Sequence, residues 1–311
     1  MGLLDGVAKR FGVNGMSDLN PELVLGLRGI KARTIFVNSG ASSGGNGASW
    51  DSALTTLVAA QELAVADDVI LVAPGHVETI IAAAGLVLGK AGVTYIGLGN
   101  GNRRPQINFT TVVGADMDIT GAGVRMRNFR FTGGFDALTN PVHLAAADIE
   151  LLDIITEDVT GQATDFIVGT DACDRLLISG WKHRGAAGAG ADTALSVVGA
   201  DDVIVEDFEV YGNFAVGGIE QVTTAGNRWR IGGGVGQNFI WTEHANDIAI
   251  TMKSDTTGVI GPNINIMLQD NAANITECVV AAAMQHMLPI NVCNLAGEAS
   301  MAINITASTD A

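Results

Sequence analysis

The sequence is poor in aromatic residues and in positive charge, and both shortages exclude classes of protein. Aromatic residues make up 5% of the 311 residues, and charged residues 16%. Lys and Arg number 17 against 33 Asp and Glu, so the formal net charge is −16. Binding to nucleic-acid phosphates depends on clustered Lys and Arg. We therefore expect neither DNA nor RNA as a partner.

Long apolar runs and closely spaced cysteines are also missing. No stretch of about 18 apolar residues is present, so we expect no membrane-spanning helix. Cys173, Cys278 and Cys293 are an odd number at wide spacing, with no CxxC pair and no His at metal-ligand spacing, which favours buried thiols in a reducing compartment. The five histidines share no metal-ligand spacing either. We expect no metal site.

Glycine and small apolar residues are abundant instead. The chain has 40 glycines and is 48% hydrophobic, a composition typical of a turn-rich β-protein with a substantial core. The run "GGGVG" (232–236) lacks the Lys and Ser/Thr of a phosphate-binding loop. We therefore interpret its glycines as bends and expect no cofactor.

A degenerate repeat runs through the middle of the chain. "VIVEDFEV", residues 203–210, has apolar residues at its first, third, sixth and eighth positions, as two short strands joined by a two-residue bend would have. "VRMRNFRF" (124–131), "IELLDIIT" (149–156) and "LLISGWKH" (176–183) follow this template, with polar residues in two of the last slots. Copies begin at positions 93, 124, 149, 176, 203, 229 and 259, so they are 31, 25, 27, 27, 26 and 30 residues apart.

A third short segment precedes each copy, for example "MDI" (117–119), "VHL" (142–144) and "ALSV" (194–197). It is joined to the template by a small polar turn such as "GAG", "AAD" or "GADD". Three short strands per repeat can bury their apolar faces only by stacking on the next repeat. We therefore predict an all-β fold, a right-handed single-stranded parallel β-helix with an N-terminal capping helix.

The bend positions explain part of the acidity. The second bend residue is Gly, Asn or Asp in all seven copies: Gly97, Asn128, Asp153, Gly180, Asp207, Gly233 and Asn263. These residue types adopt a positive φ at the lowest cost. We predict a structural ladder of left-handed corner residues, and interpret Asp207 as one of them rather than as a catalytic acid.

Outward charges should pair between neighbouring coils. We predict Lys182 beside Glu209, and Arg125 beside Glu150, about 4.8 Å apart along the stack. A glycan-cleaving carboxylate pair remains the enzymatic alternative, since stacking brings acids from different coils together. Its candidates are Asp116, Asp118, Glu150, Glu157, Asp158 and Glu206. No pair among them stands out, so we assign no catalytic residue.

The entry segment carries a family resemblance. A strand at residues 34–37 is followed by a Gly/Ser loop and by a predicted helix with Trp50, Ala53, Leu54, Leu57, Val58 and Val65 on one face, Ser49 as its N-cap and Asp51 in its first turn. The order strand, loop, "SWDSAL", helix, "DDVILVAPG" resembles the entry of right-handed parallel β-helix proteins of the pectate-lyase-like group. The continuation "APGHVETI" with "AGVTYIGLGNGNRRPQINF" (91–109) looks like β-helix proteins of tailed-bacteriophage virions. The resemblance covers residues 32–135, and the repeat extends it to 268.

The resemblance implies a function. We expect a non-enzymatic virion protein that decorates or cements the capsid exterior, assembled in the host cytoplasm as a homotrimer. The alternative is a tailspike-like receptor-binding protein that binds a host surface glycan, with or without hydrolase or lyase activity. The clustered aspartates and the His-Gly or basic motif of pectate-cleaving relatives are not found in matching form.

Two end segments lie outside the repeat. Residues 1–31 hold Lys9, Arg10, Arg28 and Lys31 in an otherwise acidic chain. We predict a docking arm, with residues 1–30 contacting the major capsid protein or another virion protein; the alternative is a helix folded back on its own coil. We predict the β-helix over 32–268, and a C-terminal cap or subunit-interface segment over 269–311.

Overall fold

The computed structural model describes residues 33–158, 163–186, 190–243, 248–268, 279–280, 283–294 and 305–306. It is an all-β parallel β-solenoid with very little helix. Its strands form three sheets of 10, 9 and 9 strands, and the named strands pair only in parallel. Connections between parallel strands are right-handed in nearly all proteins. The architecture is thus consistent with a right-handed β-helix, as the repeat predicts.

Apart from the first strand of the chain, each coil contributes one strand to each sheet. Sheet A contains β1 (Thr34–Val37), β2 (Val69–Val72), β5 (Thr94–Gly97), β8 (Arg125–Arg127), β11 (Glu150–Leu152), β14 (Leu177–Ser179), β17 (Ile204–Glu206), β20 (Trp229–Ile231), β23 (Gly258–Ile260) and β26 (Met284–His286). Sheet B contains β3 (Val77–Ile80), β6 (Gln106–Phe109), β9 (Arg130–Gly133), β12 (Ile155–Asp158), β15 (Lys182–Arg184), β18 (Glu209–Gly212), β21 (Asn238–Thr242), β24 (Ile264–Leu268) and β27 (Ile290–Asn294). Sheet C contains β4 (Leu86–Leu88), β7 (Met117–Ile119), β10 (Val142–Leu144), β13 (Asp165–Gly169), β16 (Thr193–Val198), β19 (Gly217–Val222), β22 (Ile250–Met252), β25 (Val279–Val280) and β28 (Ile305–Thr306).

The register of the sheets follows the repeat in the sequence. The template's first strand lies in sheet A and its second in sheet B, and equivalent residues pair from coil to coil, as Ile178 does with Val205. Val203, Val205, Phe208 and Val210 are all fully buried. Burial of such side chains contributes roughly 1.5–3 kcal/mol each. The continuous core between the three sheets therefore supplies the main stabilisation of the solenoid.

The entry helix is shorter than the sequence predicts. A 3₁₀ turn spans Trp50–Ser52, and the α-helix α1 begins only at Leu57 and ends at Leu63. Ser49 makes no side-chain cap; the cap is Thr56, whose hydroxyl accepts a hydrogen bond from the Ala59 amide at 3.1 Å. The predicted apolar face is wrong at Val58 and Val65, which are exposed.

The short helix is held by a residue that local sequence does not reveal. Glu78 Oε2 on β3 accepts a hydrogen bond from the Leu57 amide at 2.6 Å. Leu57 and Ala60 are fully buried and belong to the continuous core, while α1 contacts β1 and β4. The helix therefore covers the apolar interior at the entry end, where an open coil would expose it.

Strand stacking continues past the predicted end of the coil at 268. β26 pairs with β23, and β27 pairs with β24 over its whole length. β25 and β28 extend sheet C. Part of 269–311 therefore prolongs the solenoid. The predicted docking arm, residues 1–31, lies outside the described residues.

Candidate functional site

The bend between sheets A and B is a column of left-handed residues. Six of the seven predicted corner residues have a positive φ: Asn128 (62°), Asp153 (51°), Gly180 (71°), Asp207 (53°), Gly233 (81°) and Asn263 (64°). The amides of five of them bond to the next coil, as Asp153 does to the Ser179 carbonyl at 2.9 Å. The column therefore forms the bend of each coil and links successive coils through backbone hydrogen bonds.

Gly97 is the exception, and its assignment as a left-handed corner is wrong. It is the last residue of β5 and is absent from the positive-φ residues. A Cβ at this position would lie 2.3 Å from the Asn128 carbonyl oxygen. Close approach of the next coil, and not backbone handedness, requires glycine here.

Asp207 combines its corner backbone with a side-chain contact. Its Oδ1 accepts a hydrogen bond from the Gly236 amide at 2.6 Å. Gly236 belongs to the run "GGGVG", in which Gly232, Gly233 and Gly234 all have a positive φ. Asp207 thus holds the bend of the next coil. The positive φ values agree with the interpretation of these glycines as bends.

A second left-handed column, which the sequence analysis did not identify as a ladder, precedes sheet A. It comprises Gly92 (70°), Gly123 (71°), Asp148 (61°), Arg175 (60°), Asp202 (60°) and Arg228 (59°). The turns "GAG", "AAD" and "GADD" all contribute to it. From Asp148 onward acid and base alternate from coil to coil. Two arginines at a positive φ concealed the pattern, because Arg is not a residue type typical of that region.

The candidate carboxylates for glycan cleavage have structural partners. Glu150 pairs with Arg125 (2.5 and 2.8 Å), confirming that predicted ladder, and Lys182 pairs with Glu209 at 2.8 Å as predicted. Glu157 and Glu206 are bound in the same way, by Arg130 and Arg230 respectively. Each of these carboxylates is therefore paired with a basic side chain of a neighbouring coil.

The three aspartates of that candidate set are also engaged. Asp118 Oδ1 lies 2.8 Å from His143 Nδ1 on the neighbouring strand, and Asp116 accepts the amide of Ala84. Asp158 is buried, and its Oδ2 accepts the Ala191 amide at 2.8 Å. Burial raises the pKa of Asp158 to about 7.

A different group of acids lies on neighbouring strands of sheet C. The acidic cluster consists of Asp165 on β13, the adjacent Asp192, Thr193 and Ser196 on β16, and Glu220 on β19. Asp165 pairs in register with Thr193, and Ser196 with Glu220. The Ser196 hydroxyl donates to Glu220 Oε1 at 2.7 Å. The sequence analysis did not select Asp165, Asp192 or Glu220.

Neighbouring carboxylates of this cluster raise the pKa of Asp165 and of Glu220. Burial, and then the charge of Glu220, raises the pKa of Asp165 to about 6. Burial is also the main cause that raises the pKa of Glu220, and Asp192 adds to it. The charged neighbours acting on both groups are carboxylates, in contrast to the Arg- and Lys-paired ladders elsewhere. The cluster holds like charges in a partly desolvated position.

Two of the remaining histidines, His76 and His183, are buried. His76 is buried; its Nδ1 accepts the Ser39 amide at 2.9 Å and its Nε2 lies 3.3 Å from Glu78. His183 is fully buried in the core, and burial lowers its pKa to about 3. His286 lies on β26, and His244 is outside the described residues.

Among the described residues, no group of three or more His, Cys, Asp or Glu residues has an arrangement that could hold a metal ion. No helix of the described ranges is long and apolar enough to cross a membrane. Of the cysteines, Cys173 is a buried free thiol, whereas Cys293 is exposed, so the expectation of buried thiols is wrong there. Cys278 lies outside the described residues.

An aromatic patch occupies the outer face of sheet B toward the C-terminal end. Tyr211, Phe239 and Trp241 are half-buried, and the Tyr211 ring lies 5.4 Å from Phe239 and 5.9 Å from Trp241, measured between centroids. Asn265 pairs in register with Phe239 on the next strand. On the same face nearer the N-terminus, the outward residues are charged, as in the Lys182–Glu209 pair. The face changes from ionic to aromatic along the stack.

Comparison with known proteins gives little beyond this description. No protein-family model matches the chain, and no curated protein matches it. A solved rhamnogalacturonan lyase is similar at 14% sequence identity and a TM-score of 0.37, over 80% of this chain and 68% of that chain.

Proposed function

We propose that the chain is a non-enzymatic structural protein of a bacteriophage virion, which decorates or cements the capsid exterior. The phage assignment is supported by the resemblance of residues 32–135 to virion β-helix proteins. The non-enzymatic assignment is supported by the use of outward, half-buried carboxylates in coil-to-coil pairing. Glu150, Glu157 and Glu206 each bind an arginine. A carboxylate held in such a pair already has a partner within the solenoid.

The assembly that goes with this function is a homotrimer on the particle surface. Residues 1–30 are its proposed anchor on the major capsid protein or another virion protein. The rigid, continuous core of the solenoid suits a module that lies on or projects from a shell. An acidic exterior keeps such a module soluble at high local concentration.

Location of the protein in purified particles tests this function. Cryo-electron microscopy of intact particles should show the solenoid on the capsid, and particles carrying the chain without residues 1–30 should lack it. Occurrence only at the tail tip would reject the capsid assignment. Full occupancy by the truncated chain would reject the arm as the anchor.

The aromatic patch favours one alternative, a tailspike-like protein that binds a host surface glycan. Aromatic rings beside amide side chains offer stacking and hydrogen bonds to sugar rings, and Tyr211, Phe239, Trp241 and Asn265 provide both. If this alternative is right, Trp241→Ala should weaken binding to host polysaccharide at least tenfold. Trp50→Ala is the matched control, because Trp50 is a half-buried tryptophan packed on Phe36 in the entry segment.

Cleavage is tested in the same incubation. Release of reducing ends or unsaturated oligosaccharides would identify a depolymerase and contradict the non-enzymatic proposal. No release, together with no binding, would support the decoration function.

A further inference from the structure

One side of the solenoid carries no charged residue over three successive coils. Three segments that each run from a bend into a strand of sheet B, residues 232–242, 261–268 and 287–293, contain no Asp, Glu, Lys or Arg. Their strands β21, β24 and β27 are neighbours in the sheet. Together the three segments form the uncharged face. In the four preceding coils, the equivalent strands all carry charged residues, among them Arg130, Glu157, Lys182 and Glu209.

Apolar side chains of the uncharged face reach the solvent. Val235, in the bend before β21, is fully exposed, and Met287 and Leu288, in the bend before β27, are 51% and 72% exposed. These two bends are two strands apart, roughly 10 Å along the stack. The outward residues Phe239 and Trp241 of β21 are half-buried beside them. Single exposed apolar residues are ordinary, but a group of this kind is typical of an interaction surface.

The absence of charge indicates which kind of partner this face fits. The chain has a net charge of −16, so a basic partner would be attracted to its acidic surfaces rather than to an uncharged one. A partner that is itself acidic meets the least repulsion where this chain carries no charge. A second copy of the chain has the same net charge. The uncharged face therefore suits contact between copies of this chain.

Symmetry strengthens this argument. Copies related by a rotation axis along the stack present the same coils to one another at the same level. Charged residues near such an axis would meet their own kind, which the uncharged face avoids over three successive levels. The aliphatic side chains of Val235 and Leu288 offer no hydrogen bond to a glycan, but they can pack in an interface between proteins.

We propose that the uncharged face is the surface that copies of this chain bury against one another in the homotrimer. The inference rests on the homotrimer of the proposed function, and it adds the face on which the copies assemble. On the coils just before this face, Lys182 and Glu209 pair within one copy at 2.8 Å. That pair adds no net charge at the border of the interface.

Sedimentation equilibrium of the full-length chain at micromolar concentration tests the assembly and the face together. We expect the wild type to have three times the monomer mass of 32.0 kDa. The double variant Val235→Glu/Leu288→Glu places acids in the interface, and it should associate at least tenfold more weakly. Ile81→Glu is the matched control, because Ile81 is a 64% exposed apolar residue that follows β3, outside the uncharged face. It should assemble like the wild type.

A second pair of substitutions removes apolar surface without adding charge. Val235→Ser/Leu288→Ser should weaken association by less than the acidic pair does, and circular dichroism of both variants should retain the β-signal of the wild type. A trimer of wild-type affinity in both double variants would overturn the face and leave the homotrimer standing. A monomeric wild type would overturn the homotrimer and this inference together, and its binding of host polysaccharide through Trp241 would assign the face to the alternative function.

Discussion

Arg228 binds Asp202 of the preceding coil through two hydrogen bonds, 2.6 Å from Nε to Oδ1 and 2.7 Å from Nη2 to Oδ2. Both residues have a left-handed backbone, with φ of 59° and 60°. Arg175 binds Asp148 in the same way, at 2.6 and 2.8 Å. The second corner column therefore carries alternating charges on residues that also form its bend.

Reversal of one charge in this column should disturb it. Arg228→Asp would place two acids in successive coils, whereas Arg228→Asn removes the charge and keeps a residue that tolerates a positive φ. We expect the melting temperature to fall more for Arg228→Asp than for Arg228→Asn, with a difference that shrinks in high salt. Calorimetry at low and high ionic strength measures it. Equal melting temperatures in low salt would contradict the electrostatic role.

The corner role of Asp207 predicts an order among three substitutions. Asp207→Asn keeps an acceptor for the Gly236 amide and tolerates a positive φ, so stability should stay near that of the wild type. Asp207→Val should cost on the order of 1–2 kcal/mol for the left-handed backbone. Asp207→Gly relieves the backbone but loses the hydrogen bond, and should fall between them. Urea denaturation gives the order, and equal losses for Gly and Val would reject the corner assignment.

The buried Thr156 hydroxyl links two aromatic side chains of the core. It accepts the Trp181 indole N–H at 2.9 Å and lies 2.9 Å from His183 Nδ1. Thr156→Val should cost about 1–3 kcal/mol for each polar group left unpaired. Thr156→Ser keeps the hydroxyl and should cost about 1 kcal/mol. Equal losses in denaturant unfolding would show that the hydroxyl contributes nothing.

The burial of His183 makes the free energy of unfolding depend on pH. Its pKa falls from 6.5 in the unfolded chain to about 3 in the folded protein, so the unfolded chain binds the extra proton. Stability should therefore decrease as the pH drops below about 6.5. His183→Phe, packed between Phe166 and Phe214, should lack this part of the decrease. Unfolding curves of both proteins from neutral to acid pH measure it, and identical pH profiles would reject a buried neutral His183.

Asp158 makes the free energy of unfolding depend on pH in the direction opposite to His183. Burial raises its pKa from 3.8 to about 7, so the folded protein binds the proton more tightly than the unfolded chain does. The stabilisation that protonated Asp158 provides is fully present below pH 3.8, the pKa of Asp158 in the unfolded chain. It is lost as the pH rises toward 7. Asp158→Asn should therefore gain stability relative to the wild type as the pH increases through this window. A constant difference between the two proteins would contradict the shift.

The two described cysteines should differ in reactivity. Cys173 is buried, its Sγ donates to the Leu144 carbonyl at 2.9 Å, and burial raises its pKa to about 11. Cys293 is exposed. In a Cys278→Ser background, a thiol reagent should label Cys293 in the native protein and Cys173 only after unfolding. Rapid native labelling of Cys173, located by peptide mass spectrometry, would contradict its buried position.

Much of the fold could be predicted because each coil repeats the same local pattern. The alternation of Val203, Val205, Phe208 and Val210 placed these residues in the core. The preference of Gly, Asn and Asp for a positive φ identified six of the seven corners. The register that follows from the repeat also predicted the pairs of Lys182 with Glu209 and of Arg125 with Glu150.

Predictions failed where contacts come from outside the local segment. The helix was predicted to begin near Ser49, but Glu78 on a later strand accepts the Leu57 amide and fixes the start of the helix there. Gly97 was assigned a left-handed backbone by analogy with the other bends. Packing of the Asn128 carbonyl against it requires glycine for a different reason.

The sequence by itself determined the coil, its three strands and the alternation of inward and outward residues, because these depend on residue type and spacing of about 25 residues. Only the tertiary structure decided which acids lie together. Asp165 and Glu220 lie on strands two coils apart, and their approach depends on the register of β13, β16 and β19. The burial of Glu220 and the partial burial of Asp165 are products of stacking that no local pattern encodes.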